Sequence, residues 1–226
     1  MKNTMVKSVS AVVFFCLAAG AFISCGNVII NDFDNETERY KEDFTNQDDG
    51  TVLFFTNRGE DMPPNPAESI WHYALGTDPL DWTAGGFRVG VQKKTGAQDG
   101  FFGVVFSARK ENGGLTCWFV LIDRNQHYCY GTIKDNNVVT NGPFSCADLG
   151  QGPGLNYIDI AYNTGTAEYA IYFNDSIEPS TAFSADGDIE AAGRLGYLVE
   201  VLGNEDFPDN PVEVEFTQMT PEDIGM

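Results

Sequence analysis

From residue 43 onward the chain is written in short apolar runs separated by Gly, Asn, Asp and Pro, a rhythm that predicts many short strands rather than helices. Alternation is strict from Phe87 to Gln92: Phe87, Val89 and Val91 are apolar, whereas Arg88, Gly90 and Gln92 are not, which predicts a strand with one buried face. The runs Phe101 to Ser107 and Thr116 to Asp123 are apolar on both faces, as strands central to a layered sheet are. Arg124-Asn125 then turns the chain into a strand over Gln126 to Ile133. A second hairpin runs from Tyr157 to Asn163 and back over Thr166 to Phe173, with Thr164-Gly165 as its two central residues. In that register Ile158 meets Ile171 and Ile160 meets Tyr169 on the core side, while Tyr157 meets Tyr172 and Asp159 meets Ala170 on the other. Asn174-Asp175-Ser176 turns the chain toward Ile177 to Phe183.

The remaining strands are Gly196 to Leu202 and Val212 to Phe216, separated by an acidic loop, with Phe44 and Val52 to Phe55 as early strands expected beside the last one. Asp186 to Ala192 is the one stretch that suggests a helical turn. The sum is an all-β sandwich over residues 43–220, followed by a tail at 221–226. Residues 25–42, polar and acidic with few large apolar side chains, read as a flexible tether.

The N-terminus has the layout of a secretory signal: Lys2 and Lys7, an apolar run of about 15 residues from Val9 to Ile23, and Ser24 just before Cys25. A spanning helix needs about 20 apolar residues, so a removable signal at 1–24 is favoured over a permanent span. Phe22-Ile23-Ser24-Cys25 resembles a bacterial lipobox, in which the cysteine thiol receives diacylglycerol and becomes the first residue after cleavage. Phe22 stands where the family usually has leucine and fits the looser lipoboxes of spirochaetal lipoproteins. Cys16, inside the apolar run, is the weaker candidate. The resemblance implies an exported protein held on a bacterial membrane by acyl chains on Cys25, each buried CH₂ contributing about 0.8 kcal/mol.

Charge narrows the partners. The formal charge is −20, and removal of Lys2 and Lys7 with residues 1–24 takes it to −22 over the remaining 202 residues. Such a surface repels phosphate backbones, which excludes nucleic acid. Cys117, Cys129 and Cys146 remain in the folded part, an odd number for an oxidising compartment; one disulfide plus a thiol and three buried thiols are both open.

An opening Glu42-Asp43-Phe44, a Gly-rich apolar strand at Gly100 to Phe106, an aromatic hairpin from Trp118 to Tyr130, the strand Tyr157-Ile158-Asp159-Ile160 and the closing Val212-Glu213-Val214-Glu215-Phe216 together resemble the concanavalin A-like jelly roll of lectins, laminin G-like modules and glucanases. The resemblance spans most of residues 42–219. It implies a two-sheet antiparallel jelly-roll sandwich with its ligand site on the concave sheet or a rim loop.

Glucanases of that fold alternate two glutamates and an aspartate along one strand, and here Glu213 and Glu215 flank Val214 with no third acid. In the register above Asp159 and Glu168 are diagonal neighbours, near the separation of about 5–5.5 Å that a retaining glycosidase requires. Solvated acids on an exposed strand face are the plainer reading. His72 and His127 sit in no nucleophile elbow, and there is no Cys-x-x-Cys. No cofactor is called for; calcium would draw on Asp186 and Asp188, or on Glu205, Asp206 and Asp209, although neither loop matches a defined calcium motif.

A glycan site needs rings beside carboxylates, and Tyr157, Asp159, Glu168, Tyr172 and Glu178 fall on one face in this register. Trp118 and Tyr130 lie on opposite faces of the preceding hairpin, so at most one of them joins; Trp71 and Trp82 flank a Pro-containing loop. The function expected is therefore non-enzymatic binding at the cell envelope, with a glycan or a protein as ligand. A carbohydrate-active enzyme of the same fold and a structural or antigenic surface protein are the alternatives.

Overall fold

The structure is a computed structural model and describes residues 28–32, 43–57, 63, 65, 67–111, 114–189, 191–205, 207 and 209–219. The signal segment, Cys25 and the C-terminal tail lie outside the described residues.

Fourteen strands are described: β1 (Val28–Asp32), β2 (Phe44–Asn46), β3 (Thr51–Thr56), β4 (Ser69–Pro79), β5 (Gly86–Thr95), β6 (Phe102–Glu111), β7 (Gly114–Ile122), β8 (His127–Lys134), β9 (Asn137–Ser145), β10 (Asn156–Asn163), β11 (Glu168–Phe173), β12 (Thr181–Ser184), β13 (Arg194–Leu202) and β14 (Val212–Met219). A single 3-10 turn, Trp82–Ala84, separates β4 from β5 and is capped by the Asp81 carboxylate, which accepts from the Thr83 amide at 2.9 Å. The described residues among 186–192 form turns and bends rather than a helix.

The strands make two seven-stranded sheets, in the orders β1-β4-β13-β6-β7-β8-β9 and β12-β11-β10-β5-β14-β3-β2. All pairings are antiparallel except that of β1 with β4. This is a two-sheet jelly-roll sandwich. β14 pairs with β3, which places the late and early strands side by side as the sequence suggested. β1 falls within the stretch expected to be a flexible tether, and corrects it: Val28 to Asp32 extend the edge of the first sheet.

Alternation explains the core. Phe87, Val89 and Val91 of β5, Val104 and Phe106 of β6, Val120 and Ile122 of β7, and Val212, Val214 and Phe216 of β14 point between the sheets and are buried. β6 and β7 lie in the middle of the first sheet, and their other faces are apolar too. Val105, Cys117, Phe119 and Leu121 join Trp71, Tyr73 and Leu198 in a second buried cluster on the outer side of that sheet. Cys117 and Cys146 are buried thiols and Cys129 is buried as well; none pairs with another of the three, which decides between the two cysteine readings. Burial pushes the Cys117 thiol well above the usual range.

The second hairpin differs from expectation in register. Asn163 stands opposite Glu168, not Thr166, so the loop holds four residues and every pairing slides by two: Ile158 meets Phe173, Asp159 meets Tyr172 and Ile160 meets Ile171. The cause is local. The Asn163 side chain accepts from the amides of Gly165 (2.9 Å) and Thr166 (3.2 Å), and Ala167 closes the loop at φ 54°. Because the slip is even, each side chain keeps its face.

Burial by alternation has a direct check. Phe216→Ala, which empties a fully buried site, is expected to cost about 3–5 kcal/mol, whereas Val139→Ala on the exposed edge strand β9 should change stability by less than about 0.5 kcal/mol; urea unfolding of both variants measures the contrast.

Candidate functional site

The outer face of the second sheet carries the residues singled out for a ligand, and the structure brings three of them together. Asp159 of β10 lies opposite Arg88 of β5 and Tyr172 of β11. Arg88 grips both Asp159 oxygens, Nε at 2.5 Å and Nη2 at 2.9 Å, and its Nη1 reaches Asp175 at 2.6 Å. Its guanidinium stacks over Tyr157 with Cζ 5.2 Å from the ring centroid. The hydrogen bonds to Asp159 raise the Arg88 pKa further above its already high value. Asp159 is therefore spent on an internal ion pair and Tyr157 has a cation on one face. Shallow depressions beside Tyr172, floored by Gly86 and Ala161, complete this surface.

The other members of the expected set are elsewhere. Glu168 is opposite Asn163, four residues along the strands from Asp159, which removes the diagonal carboxylate pair. Glu178 is exposed in the loop between β11 and β12. Trp118 is buried in the inter-sheet core against Phe183, centroids 4.5 Å apart, and cannot meet a ligand on this face. The β7–β8 register sets Trp118 opposite Thr132 and Val120 opposite Tyr130, so Trp118 and Tyr130 share one face, contrary to expectation.

The calcium candidates are accounted for by amines. Asp186 and Asp188 converge on Lys134 Nζ at 2.6 and 3.2 Å, so an ammonium holds the place a cation would take. This contact also pulls the Asp186 carboxyl below its usual range. Glu205 turns inward, Asp209 is exposed and Asp206 lies outside the described residues. Among the described residues no three His, Cys, Asp or Glu side chains gather to hold a metal.

Another concavity lies on the outer side of the first sheet, a pocket of about 440 Å³ whose apolar floor includes Trp71, Phe101 and Cys129. Its two polar walls are built differently. On one side β4 and β13 place Trp71 against Glu200; Trp71 Nε1 donates to Glu200 Oε1 at 3.2 Å, the Phe101 amide donates to Oε2 at 3.0 Å, and the Trp71 ring meets Phe119 edge-on at 5.4 Å. On the other side the β7–β8 hairpin turns around Asp123. This buried carboxylate accepts from the Asn125 amide, the His127 amide and His127 Nδ1, each at 2.8 Å. With Nδ1 committed to Asp123, Nε2 is the acceptor that a half-exposed His127 offers at the pocket wall. Thr140 of β9 adds a hydroxyl oxygen that is buried without a partner in the protein.

Behind this pocket lies a buried ion pair. Lys93 continues the inward phase of Phe87, Val89 and Val91, so period two drives its side chain into the end of the sandwich, where it is fully buried. Its ammonium donates to the Gly100 carbonyl at 3.2 Å and lies 4.0 Å from Glu205 Oε1. Glu205 Oε2 accepts from the Ala97 amide at 2.8 Å, while Oε1 has no hydrogen-bond partner among the described residues. A Cβ on Gly100 would come within 2.6 Å of the ammonium, so glycine is what admits it. The clip joins residues 96–101 to 200–205, the two segments that bring Asp99, Phe101, Glu200 and Asn204 to the pocket. Burial lowers the Lys93 pKa to about 8 and raises that of Glu205.

No family model matches the sequence, and no curated protein matches it either. Some solved structures are similar to it at low identity. A carbohydrate binding module, CBM66, from Bacillus subtilis is 10% identical over 78% of this chain and 91% of its own, with a TM-score of 0.49. A putative β-glucanase from Mycobacterium abscessus is 8% identical over 79% and 78%, at 0.48, and the Bacillus licheniformis β-glucanase is 8% identical over 78% and 80%, at 0.44. None of these likenesses transfers a ligand or an activity.

The depressed Lys93 pKa fixes a pH dependence. Between pH 8 and pH 10 the folded protein releases a proton that the unfolded chain, with an ordinary lysine, still holds, so stability rises with pH over that window. Chemical unfolding at pH 8 and pH 10 should show the stability of the wild type gaining on that of Lys93→Met. A difference independent of pH would mean that Lys93 titrates alike in both states.

Proposed function

We propose that this chain is an exported lipoprotein, held on a bacterial membrane by acyl chains on Cys25, whose sandwich binds a glycan in the pocket beside Trp71 without cleaving it. The observation that carries the reading is the makeup of that pocket: Phe101, backed by the largely buried Trp71, forms an apolar floor, and hydrogen-bonding groups on Glu200, His127 and Thr140 converge from separate strands around it. Sugar rings present C–H faces that pack on aromatic surface and hydroxyls that bond to carboxylates and imidazole, and a concave site of this kind satisfies both at once. The Arg88-centred surface of the second sheet supports the reading less well, because its carboxylate and one tyrosine face are engaged internally.

Non-catalytic binding is supported by how the pocket acids are used. Glu200 orients Trp71 and the Phe101 amide, and Asp123 holds its hairpin, so each already serves as a fixed acceptor. The anchor is supported by the lipobox resemblance at Phe22 to Cys25 together with the basic and apolar run before it.

A glycan array probed with the purified protein is expected to give ligands whose binding falls at least about ten-fold in His127→Ala and Trp71→Ala and is unchanged in Tyr172→Ala, the order expected for losing one buried contact. Binding lost only in Tyr172→Ala would move the site to the second sheet, and release of reducing ends from a bound glycan would make the protein a hydrolase. Metabolic labelling with a palmitate analogue should mark the wild type and leave Cys25→Ser unlabelled.

A further inference from the structure

We infer that the pocket beside Trp71 prefers a sugar unit bearing an amine and turns away acidic sugars, an inference that rests on the glycan-binding reading above. Among the described residues its lining carries four carboxylates, those of Glu68, Asp99, Asp123 and Glu200, and no lysine or arginine. Behind the wall the buried Lys93 donates to the Gly100 carbonyl and faces Glu205, and its charge also reaches Glu200 and Asp99. Arg124 Nη1 donates to the Gly96 carbonyl, and its buried Nε finds no hydrogen-bond partner among the described residues.

The four acids divide into two kinds. Glu200 and Asp123 are fixed acceptors, bound to Trp71 and Phe101 and to the β7–β8 turn. Glu68, half-buried, and Asp99, exposed, have carboxylates without an ion pair or hydrogen bond among the described residues, and they flank the same opening. The imidazole adds a further acceptor, since Asp123 holds its Nδ1 and leaves Nε2. Side-chain donors are the Ser69 hydroxyl, the Thr140 hydroxyl, which is buried without a partner among the described residues, and the amides of Asn125 and Asn204. A uronic or sialic acid would bring a carboxylate into this acceptor-rich cavity in a chain of formal charge −20, with no lysine or arginine among the described residues of its lining to answer it. An ammonium brings three donors and the opposite charge to two carboxylates that make no ion pair or hydrogen bond among the described residues.

Three short probes separate the possibilities: tetrasaccharides of glucosamine, of N-acetylglucosamine and of galacturonic acid, titrated calorimetrically into the full-length protein. The glucosamine tetramer is expected to bind about ten-fold more tightly than its acetylated counterpart, the order of two half-exposed ion pairs, and the acidic tetramer not to bind. The preference should shrink at high salt. The double variant Glu68→Gln, Asp99→Asn should bring the affinities for the two amino-sugar probes together. A control with two exposed acids removed elsewhere, Asp48→Asn and Asp78→Asn, should keep it. Equal affinity for the two amino-sugar probes, a preference that survives Glu68→Gln, Asp99→Asn, or an equal loss in the control would overturn the selectivity and leave glycan binding standing. Absence of binding by all three probes would overturn the glycan reading and the selectivity with it.

Discussion

Each residue of a paired strand commits its backbone to neighbours and throws its side chain to the face opposite the one before. In this chain the constraint is felt most in β6 and β7, which are enclosed on both sides. Val104 and Val120 point between the sheets, and Val105 and Phe119 point away, into a second apolar cluster. The first sheet therefore has an oily outer side, and the Trp71 pocket is the place where that side opens and meets polar loops. The second sheet solves its outer face differently, with Arg88, Asp159 and Asp175 paired across strands and Lys94 set between Glu213 and Glu215.

The same constraint puts charge where it is costly. Lys93 faces inward because its strand does, and two segments must fold around it to supply Gly100 and Glu205. Removing one partner of such a pair usually costs more than the pair contributes, since the remaining charge stays buried. The clip ties the pocket loops to the core, so the geometry at Glu200 and Asp99 is inherited from the sandwich rather than set by the loops alone. Asp123 plays a parallel part in the β7–β8 turn, where one carboxylate holds two backbone amides and one imidazole.

Much of the architecture was legible because period two survives in β5, β10, β11 and β14, where Phe87, Ile158, Tyr169 and Val214 all lie on the faces the alternation assigns. Strand β4 was hidden by the Pro-containing stretch taken to separate Trp71 from Trp82, and β1 by its polar neighbours. The pocket was out of reach for a different reason: Trp71 and Glu200 are 129 residues apart in the chain and meet only through the pairing of β4 with β13. Lys93 did leave a signal, since extending the Phe87, Val89, Val91 series by two lands on it. Trp118 and Tyr130 were given opposite faces, and the β7–β8 ladder sets both on the side toward the core.

The four-residue loop after Asn163 has a consequence for how such a chain can change. Its pairing differs from the tighter alternative by two positions, and nothing about inside and outside is disturbed, because two steps along a strand restore the same orientation. Insertions or deletions that shift this ladder by pairs of residues are silent to burial and vary only the rim, whereas a shift of β11 by a single residue against β10 would turn Tyr169, Ile171 and Phe173 out to water. Length variation here is thus quantised, and the sandwich filters it by parity.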